Sequence, residues 1–221
     1  MHKSKTIPIE SRSGKLINIF FDLFLSPMQQ RRGLAEFPNL WEYETIFQCL
    51  METDLIDKRK KAEYDSMIDS ADGENISAEL FKLKPLAGLK VLEIGGYFSM
   101  NLSKLGAIAE KMDAAIDEKE HITLQNHKSK LKNRQFDITL SKEVFDRYSG
   151  IENGREFEQA CRELLTVFSR VTRKGGISIH EGRMDKALNK DFLDEIGLKL
   201  EYEITGKRCT PPFKIYVFKV V

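Results

Sequence analysis

The spacing of hydrophobic and polar positions changes several times along the chain, and each change marks an element. Val91, Leu92 and Ile94 form a short apolar run with β-branched members, bounded by Gly95 and Gly96, which reads as a buried strand. From Met100 the period becomes helical, and Leu102, Leu105, Ile108, Ala109 and Met112 predict a helix. A second short strand, 114–116, is expected to end in Asp117. Phe136 to Leu140 reads as another strand. Phe157, Cys161, Leu164, Leu165, Phe168 and Val171 then form a long helical stripe. Arg173-Lys174-Gly175-Gly176 is expected to end that helix with late positive charge and a glycine cap. Ile177-Ser178-Ile179-His180 alternates as the next strand. Residues 190–196 predict a helix closed by Gly197, and 198–204 and 214–221 predict two alternating strands.

The first part of the chain reads differently. Trp41, Tyr43, Ile46, Phe47, Leu50 and Met51 recur at helical intervals, so 40–52 is expected to be an amphipathic helix. Lys58-Arg59-Lys60-Lys61 is expected to be a solvated helix face, because no run of aromatics accompanies it. Residues 71–75 form a turn cluster, with a short element at 76–83 after it. Lys84-Pro85-Leu86-Ala87-Gly88 leads into the strand at Val91. The expected organisation is a mostly helical cap over residues 1–80 and an α/β domain over 81–221.

Residues 16–25 are almost wholly apolar, broken by Asn18 and Asp22 and preceded by Lys3, Lys5, Arg12 and Lys15. Ten residues are too few to span a bilayer, which takes about 20. Ser26-Pro27-Met28 is a poor signal-cleavage site. This stretch is expected to pack on the core or on another subunit of a homo-oligomer. Contact with a membrane surface is the alternative.

Composition narrows the function classes. Charged residues make up 31% and hydrophobic residues 41% of the 221, as in soluble globular proteins. A net charge of +1 supplies no field that would gather nucleic acid. Cys49, Cys161 and Cys209 lie far apart and without C-x-x-C spacing, which argues against a disulfide framework or a cysteine metal site. They suggest a reducing, cytoplasmic setting.

Strand, glycine turn, helix, strand and acid together make half of a nucleotide-binding α/β unit. Gly95 and Gly96 let the backbone come close to a ligand. Asp117 follows Glu93 at a separation near the roughly 20 residues usual for an acid that accepts ribose hydroxyls. The dinucleotide fingerprint G-x-G-x-x-G is absent, since Tyr97, Phe98 and Ser99 follow Gly96. A carboxylate at Glu93 repels a diphosphate and suits a cationic ligand.

The acid-x-Gly pattern of Glu93 and Gly95 resembles the first motif of the class I S-adenosylmethionine-dependent methyltransferases, over roughly residues 85–221. Tyr97 and Ser99 stand where that motif has its second and third glycines. Phe136 to Ser141 is similar to the family's fourth strand, and Gly175-Gly176 with 177–180 to its fifth.

The resemblance implies a Rossmann-like α/β methyltransferase sheet of order 3-2-1-4-5-7-6, ending in an antiparallel strand pair and preceded here by an N-terminal helical extension. The third strand is an edge strand. Residues 118–135 offer either a reduced version of it at His121–Asn126 or a single helix. The resemblance also implies S-adenosylmethionine as cofactor, held by Glu93, Gly95, Gly96, Tyr97, Asp117 and Ser141. His180, Glu181 and Glu143 are the candidate catalytic residues, and Trp41 and Tyr43 are pocket candidates. The expected methyl acceptor is a small molecule. No Asn-Pro-Pro-Tyr-type motif follows the fourth strand, which argues against methylation of base or glutamine amino groups. A non-catalytic binding or assembly domain on the same fold is the rival reading, favoured by the altered glycine loop.

Overall fold

A computed structural model describes residues 40–70, 76–94, 102–112, 131, 135–142, 155–205 and 214–221. Residues 16–25, the side chains of Trp41 and Tyr43, and the alternatives for 118–135 lie outside the described residues or atoms. The chain forms two compact units.

The first unit is helical. α1 spans Leu40–Met51, α2 Lys58–Ser70 and α3 Ile76–Leu83. α1 closes where the Thr53 hydroxyl donates to the Leu50 carbonyl at 3.0 Å. Asp57 caps α2, its Oδ1 accepting from the backbone N–H groups of Arg59 at 3.0 Å and Lys60 at 3.2 Å. The basic run begins that helix, with Lys58 and Arg59 exposed and Lys60 and Lys61 half-buried. Arg59 pairs with Glu63 one turn on. Phe47, Leu50, Tyr64 and Ile68 are buried, and the rings of Phe47 and Tyr64 meet edge to face at 6.2 Å.

This unit also corrects one sequence expectation. The helix anticipated from Met100 is a single 3-10 turn, Leu102–Leu105, followed by strand β2 at Ile108–Met112. Gly106 takes a positive φ of 88°, its N–H bonds the Ser103 carbonyl, and the Ala107 N–H reaches back to the Leu102 carbonyl. That is a glycine helix stop, which ends the turn before a second one forms. The Ile108 N–H then bonds the Leu89 carbonyl at 2.8 Å.

The second unit is built on a sheet of order β2-β1-β3-β4-β6-β5. Its further strands are β1 (Lys90–Ile94), β3 (Phe136–Ser141), β4 (Thr172–Glu181), β5 (Leu198–Thr205) and β6 (Lys214–Val220). β1, β3 and β4 run parallel to their neighbours, while β6 is antiparallel to both β4 and β5. With the edge strand set aside, this is the order and the antiparallel ending that the resemblance implies. Among the described residues the sheet has six strands.

Helix α4 (Arg155–Val171) lays its apolar stripe, Cys161, Leu164, Leu165, Phe168 and Val171, into the same core as Leu92, Ile94, Tyr216 and Phe218. α5 (Lys190–Glu195) is capped by Asn189, which accepts from the Asp191 N–H, and is followed by Gly197 at a φ of 69°.

The glycine pair 175–176 does not cap α4. The helix ends at Val171 and β4 starts at Thr172, so the Arg-Lys-Gly-Gly segment lies inside the strand. There the register against β3 slips: Phe136 pairs with Thr172, but Ile138 pairs with Ile177. The extra residues bulge, as strands do where one partner is longer. Gly175 has a φ of 76°, and a Cβ on Gly176 would stand 2.7 Å from the Asp137 carbonyl oxygen. Asp137 fastens the bulge, accepting from the Arg173 guanidinium on one side and from the Lys90 N–H, at 2.7 Å, on the other. Its role is structural.

Candidate functional site

The strand order places a reversal beside β1. The chain passes from β1 to β2 on one side and returns to β3 on the other. In open α/β sheets such a switch point opens a crevice at the carboxyl ends of the strands, where ligands bind. Here those ends are Ile94 of β1 and Ser141 of β3, paired in register. Glu93, one residue before the end of β1, is buried at 6% exposure.

One strand further along, Ser141 pairs with His180. Ser141 Oγ lies 2.8 Å from His180 Nδ1. The other ring nitrogen, Nε2, lies 2.5 Å from Ser178 Oγ. Ser178 Oγ continues to Thr139 Oγ1 at 2.7 Å, and Thr139 Oγ1 to Thr172 Oγ1 at 2.8 Å. Thr139, Ser178 and His180 have no solvent exposure, and Ser141 and Thr172 almost none. The imidazole stacks on Phe168 with ring centroids 4.1 Å apart. Burial lowers its pKa from 6.5 to about 3, so the ring is neutral at physiological pH.

This geometry recasts one candidate. His180 stands near the carboxyl end of its strand, as expected, but both ring nitrogens are engaged with hydroxyls inside the core. It connects rather than abstracts protons. Glu181, the next residue, is buried at 4% exposure and pairs in register with Ile215. Gly95, Gly96, Tyr97, Asp117 and Glu143 lie outside the described residues. The strand expected at 114–116 ahead of Asp117 is met by a strand whose described span ends at Met112. Asp113 therefore follows it directly in sequence.

The three hydroxyls of Thr139, Thr172 and Ser178 were not singled out from sequence. A signal existed: Thr139 and Ser141 alternate on β3, and Ser178 and His180 on β4, inside otherwise apolar strands. Polar groups two apart share one face of a strand, and two such pairs side by side can satisfy one another.

A second polar group gathers by β6. Asp185, in a 3-10 turn at Asp185–Ala187, accepts from Lys214 Nζ at 2.5 Å and from the Tyr216 hydroxyl at 2.9 Å, and Lys214 also pairs with Glu203 at 2.9 Å. Desolvation, then the neighbouring Asp185 charge, drives the Tyr216 pKa well above the usual phenol range. The hydrogen bond to Asp185 raises that of Lys214. Among the described residues no cluster could hold a metal ion, and no helix is long and apolar enough to cross a membrane.

No family model and no curated protein matches the chain. Solved structures do, at low identity. TrmN from Thermus thermophilus matches with 14% identity and a TM-score of 0.43, over 65% of this chain and 48% of that one. The fibrillarin pre-rRNA processing protein of Methanococcus jannaschii matches with 15% identity and a TM-score of 0.41, over 60% of this chain and 66% of that one. Magnesium protoporphyrin IX methyltransferase from Synechocystis, solved with bound S-adenosylmethionine, matches with 13% identity and a TM-score of 0.43, over 76% and 84%. The matched part thus spans about half the length of the Thermus protein. The fold assignment stands on the strand order and direction of this chain itself.

Proposed function

We propose that the chain is an S-adenosylmethionine-dependent methyltransferase whose cofactor lies at the carboxyl ends of β1 and β3. The observation that carries this reading is the buried Glu93 beside the switch point of a sheet that ends in an antiparallel pair. The donor set suits the group. A carboxyl group near the β1 end attracts the cationic amino-acid end of S-adenosylmethionine and repels a dinucleotide's diphosphate. When bound, the cofactor supplies an electrophilic methyl group on a sulfonium centre.

The chain's own residues do the rest. Gly95 and Gly96 leave room for close approach, Tyr97 shapes the turn, and Asp117 accepts ribose hydroxyls. Ser141 offers its hydroxyl at the β3 end. Glu181 and Glu143 are the groups proposed to orient the acceptor or take its proton. Rate enhancement comes chiefly from positioning and exclusion of water. The proposed acceptor is a small molecule, since Ser141-Lys142-Glu143 follows β3 in place of an Asn-Pro-Pro-Tyr-type motif.

Calorimetric titration tests the reading. S-adenosylmethionine is expected to bind more tightly than about 1 mM, equivalent to about −4.1 kcal/mol, and NAD is expected to give no heat. Heat with NAD alone would replace the reading with an oxidoreductase. Heat with neither would leave the non-catalytic domain. Label from the methyl group should then enter the small-molecule fraction of a cell extract. Label confined to RNA or protein would overturn the proposed acceptor class.

A further inference from the structure

The buried chain Ser141–His180–Ser178–Thr139–Thr172 has a proton count that fixes its behaviour. Four hydrogen bonds join five side chains. A neutral imidazole carries one N–H, and each hydroxyl carries one O–H. Five donor protons therefore serve four bonds, and one proton is always left at an end.

The imidazole tautomer decides which end. With the proton on Nδ1, His180 donates to Ser141. Nε2 then accepts from Ser178, which accepts from Thr139, which accepts from Thr172. The Ser141 proton is left, pointing out of the chain at the carboxyl end of β3. With the proton on Nε2, every bond reverses. Ser141 donates to Nδ1, and the Thr172 proton is left at the other end of the sheet.

We propose that His180 is a positioning residue whose tautomer sets Ser141 as donor or acceptor at the switch point. Ser141 is thereby a polarity-reading group for the ligand there. A carboxylate or carbonyl oxygen at that point draws the Ser141 proton and selects the Nδ1–H form. A ligand donor selects the Nε2–H form. The ligand half of this inference rests on the cofactor reading above; the chain itself does not. Burial holds the ring neutral, so the two tautomers are the states that count. Stacking on Phe168 holds the ring plane, so the exchange needs no rotation of the imidazole.

The experiment is nitrogen-detected NMR on the full chain with labelled histidine, with His180→Gln assigning the His180 signals. Ser178→Ala removes the Nε2 partner and is expected to give the Nδ1–H form. Ser141→Ala removes the Nδ1 partner and is expected to give the Nε2–H form, because a buried N–H without an acceptor is the rarer fault. Thr172→Val keeps the shape and would leave Thr139 with the extra proton in the fully buried centre, so it is expected to enrich Nδ1–H relative to the wild type. It also serves as the test if either serine variant fails to fold.

The same tautomer in Ser141→Ala and Ser178→Ala would overturn the proposal. So would an unchanged population in Thr172→Val, or a His180 ring titrating between pH 5 and 8. Addition of S-adenosylhomocysteine, the demethylated product, separates the two readings. Binding with a change in tautomer population supports the coupling, and binding without any change overturns it. No binding, with the reciprocal shifts retained in the variants, would sink the cofactor reading and leave the polarity device standing.

Discussion

Between β3 and β4 the polar side chains are neutral, shielded from water and bonded to one another, from Thr172 to Ser141. Between β5, β6 and the turn after β4 they are charged and lie at the rim. The Lys214 side chain is 27% exposed, Glu203 35% and Asp185 52%. The difference follows from the cost of desolvation. A buried charge costs several kcal/mol unless fully compensated, whereas a buried hydroxyl or neutral imidazole is tolerated once each group has a partner. Water screens the rim cluster, so each of its pairs contributes little. The parallel half of the sheet therefore depends on its polar groups far more than the antiparallel half does, although the antiparallel half carries more charge.

The largest expected effect breaks the buried side of that comparison. His180→Ala would remove a stacked ring and leave the hydroxyls of Ser141 and Ser178 without their shared partner. Large-to-small changes at such sites cost about 3–5 kcal/mol, and denaturant unfolding should show a loss of that order. Next comes Gly176→Ala, which puts a Cβ 2.7 Å from the Asp137 carbonyl oxygen and 2.8 Å from Thr172 Cγ2, at the end of the hydroxyl chain. Overpacking of this kind costs about 1–3 kcal/mol, measured the same way.

Acid sharpens the contrast without mutation. The unfolded chain protonates His180 below about pH 6.5, while the folded protein does so only near pH 3. Between those values the unfolded state binds more protons, so stability falls as pH falls, by about 1.4 kcal/mol per pH unit from this group. Above pH 6.5 this contribution is constant. His180→Gln is expected to remove that slope, seen by unfolding at successive pH values. The smallest effect belongs to the rim. Lys214→Met should change stability by about 0.2–1 kcal/mol, and added salt should shrink the difference. A loss as large as that of His180→Ala would erase the distinction between the two halves.

Much of this fold was legible because its strands and helices carry one clear period each. α4 shows five buried residues at helical spacing, and β6 a near-continuous apolar run paired with an alternating β5. The stretch from Met100 to Met112 was misread because its apolar residues fit a helix while Gly106 breaks it. The breaker was visible in Ser-Lys-Leu-Gly-Ala, a turn ending in a glycine stop. Gly175-Gly176 misled in the opposite direction. A glycine pair after a helix reads locally as a cap, and its use in a bulge depends on Asp137, which is distant in sequence.

The site divides the same way. Glu93 and Ser141 could be placed from strand patterns alone, and His180 too. That His180 is bonded at both nitrogens depends on Ser178 and on the register of β3 against β4, which spacing along one strand does not specify.

The central claim is that the carboxyl ends of β1 and β3 hold S-adenosylmethionine. Ultraviolet cross-linking of methyl-labelled S-adenosylmethionine to the intact chain, followed by peptide mapping, tests it most directly. The account predicts label, competed away by S-adenosylhomocysteine, in the peptide that follows Glu93 or in the one that contains Ser141. Competable label found only in peptides away from both strand ends, or no competable label at all, would contradict it.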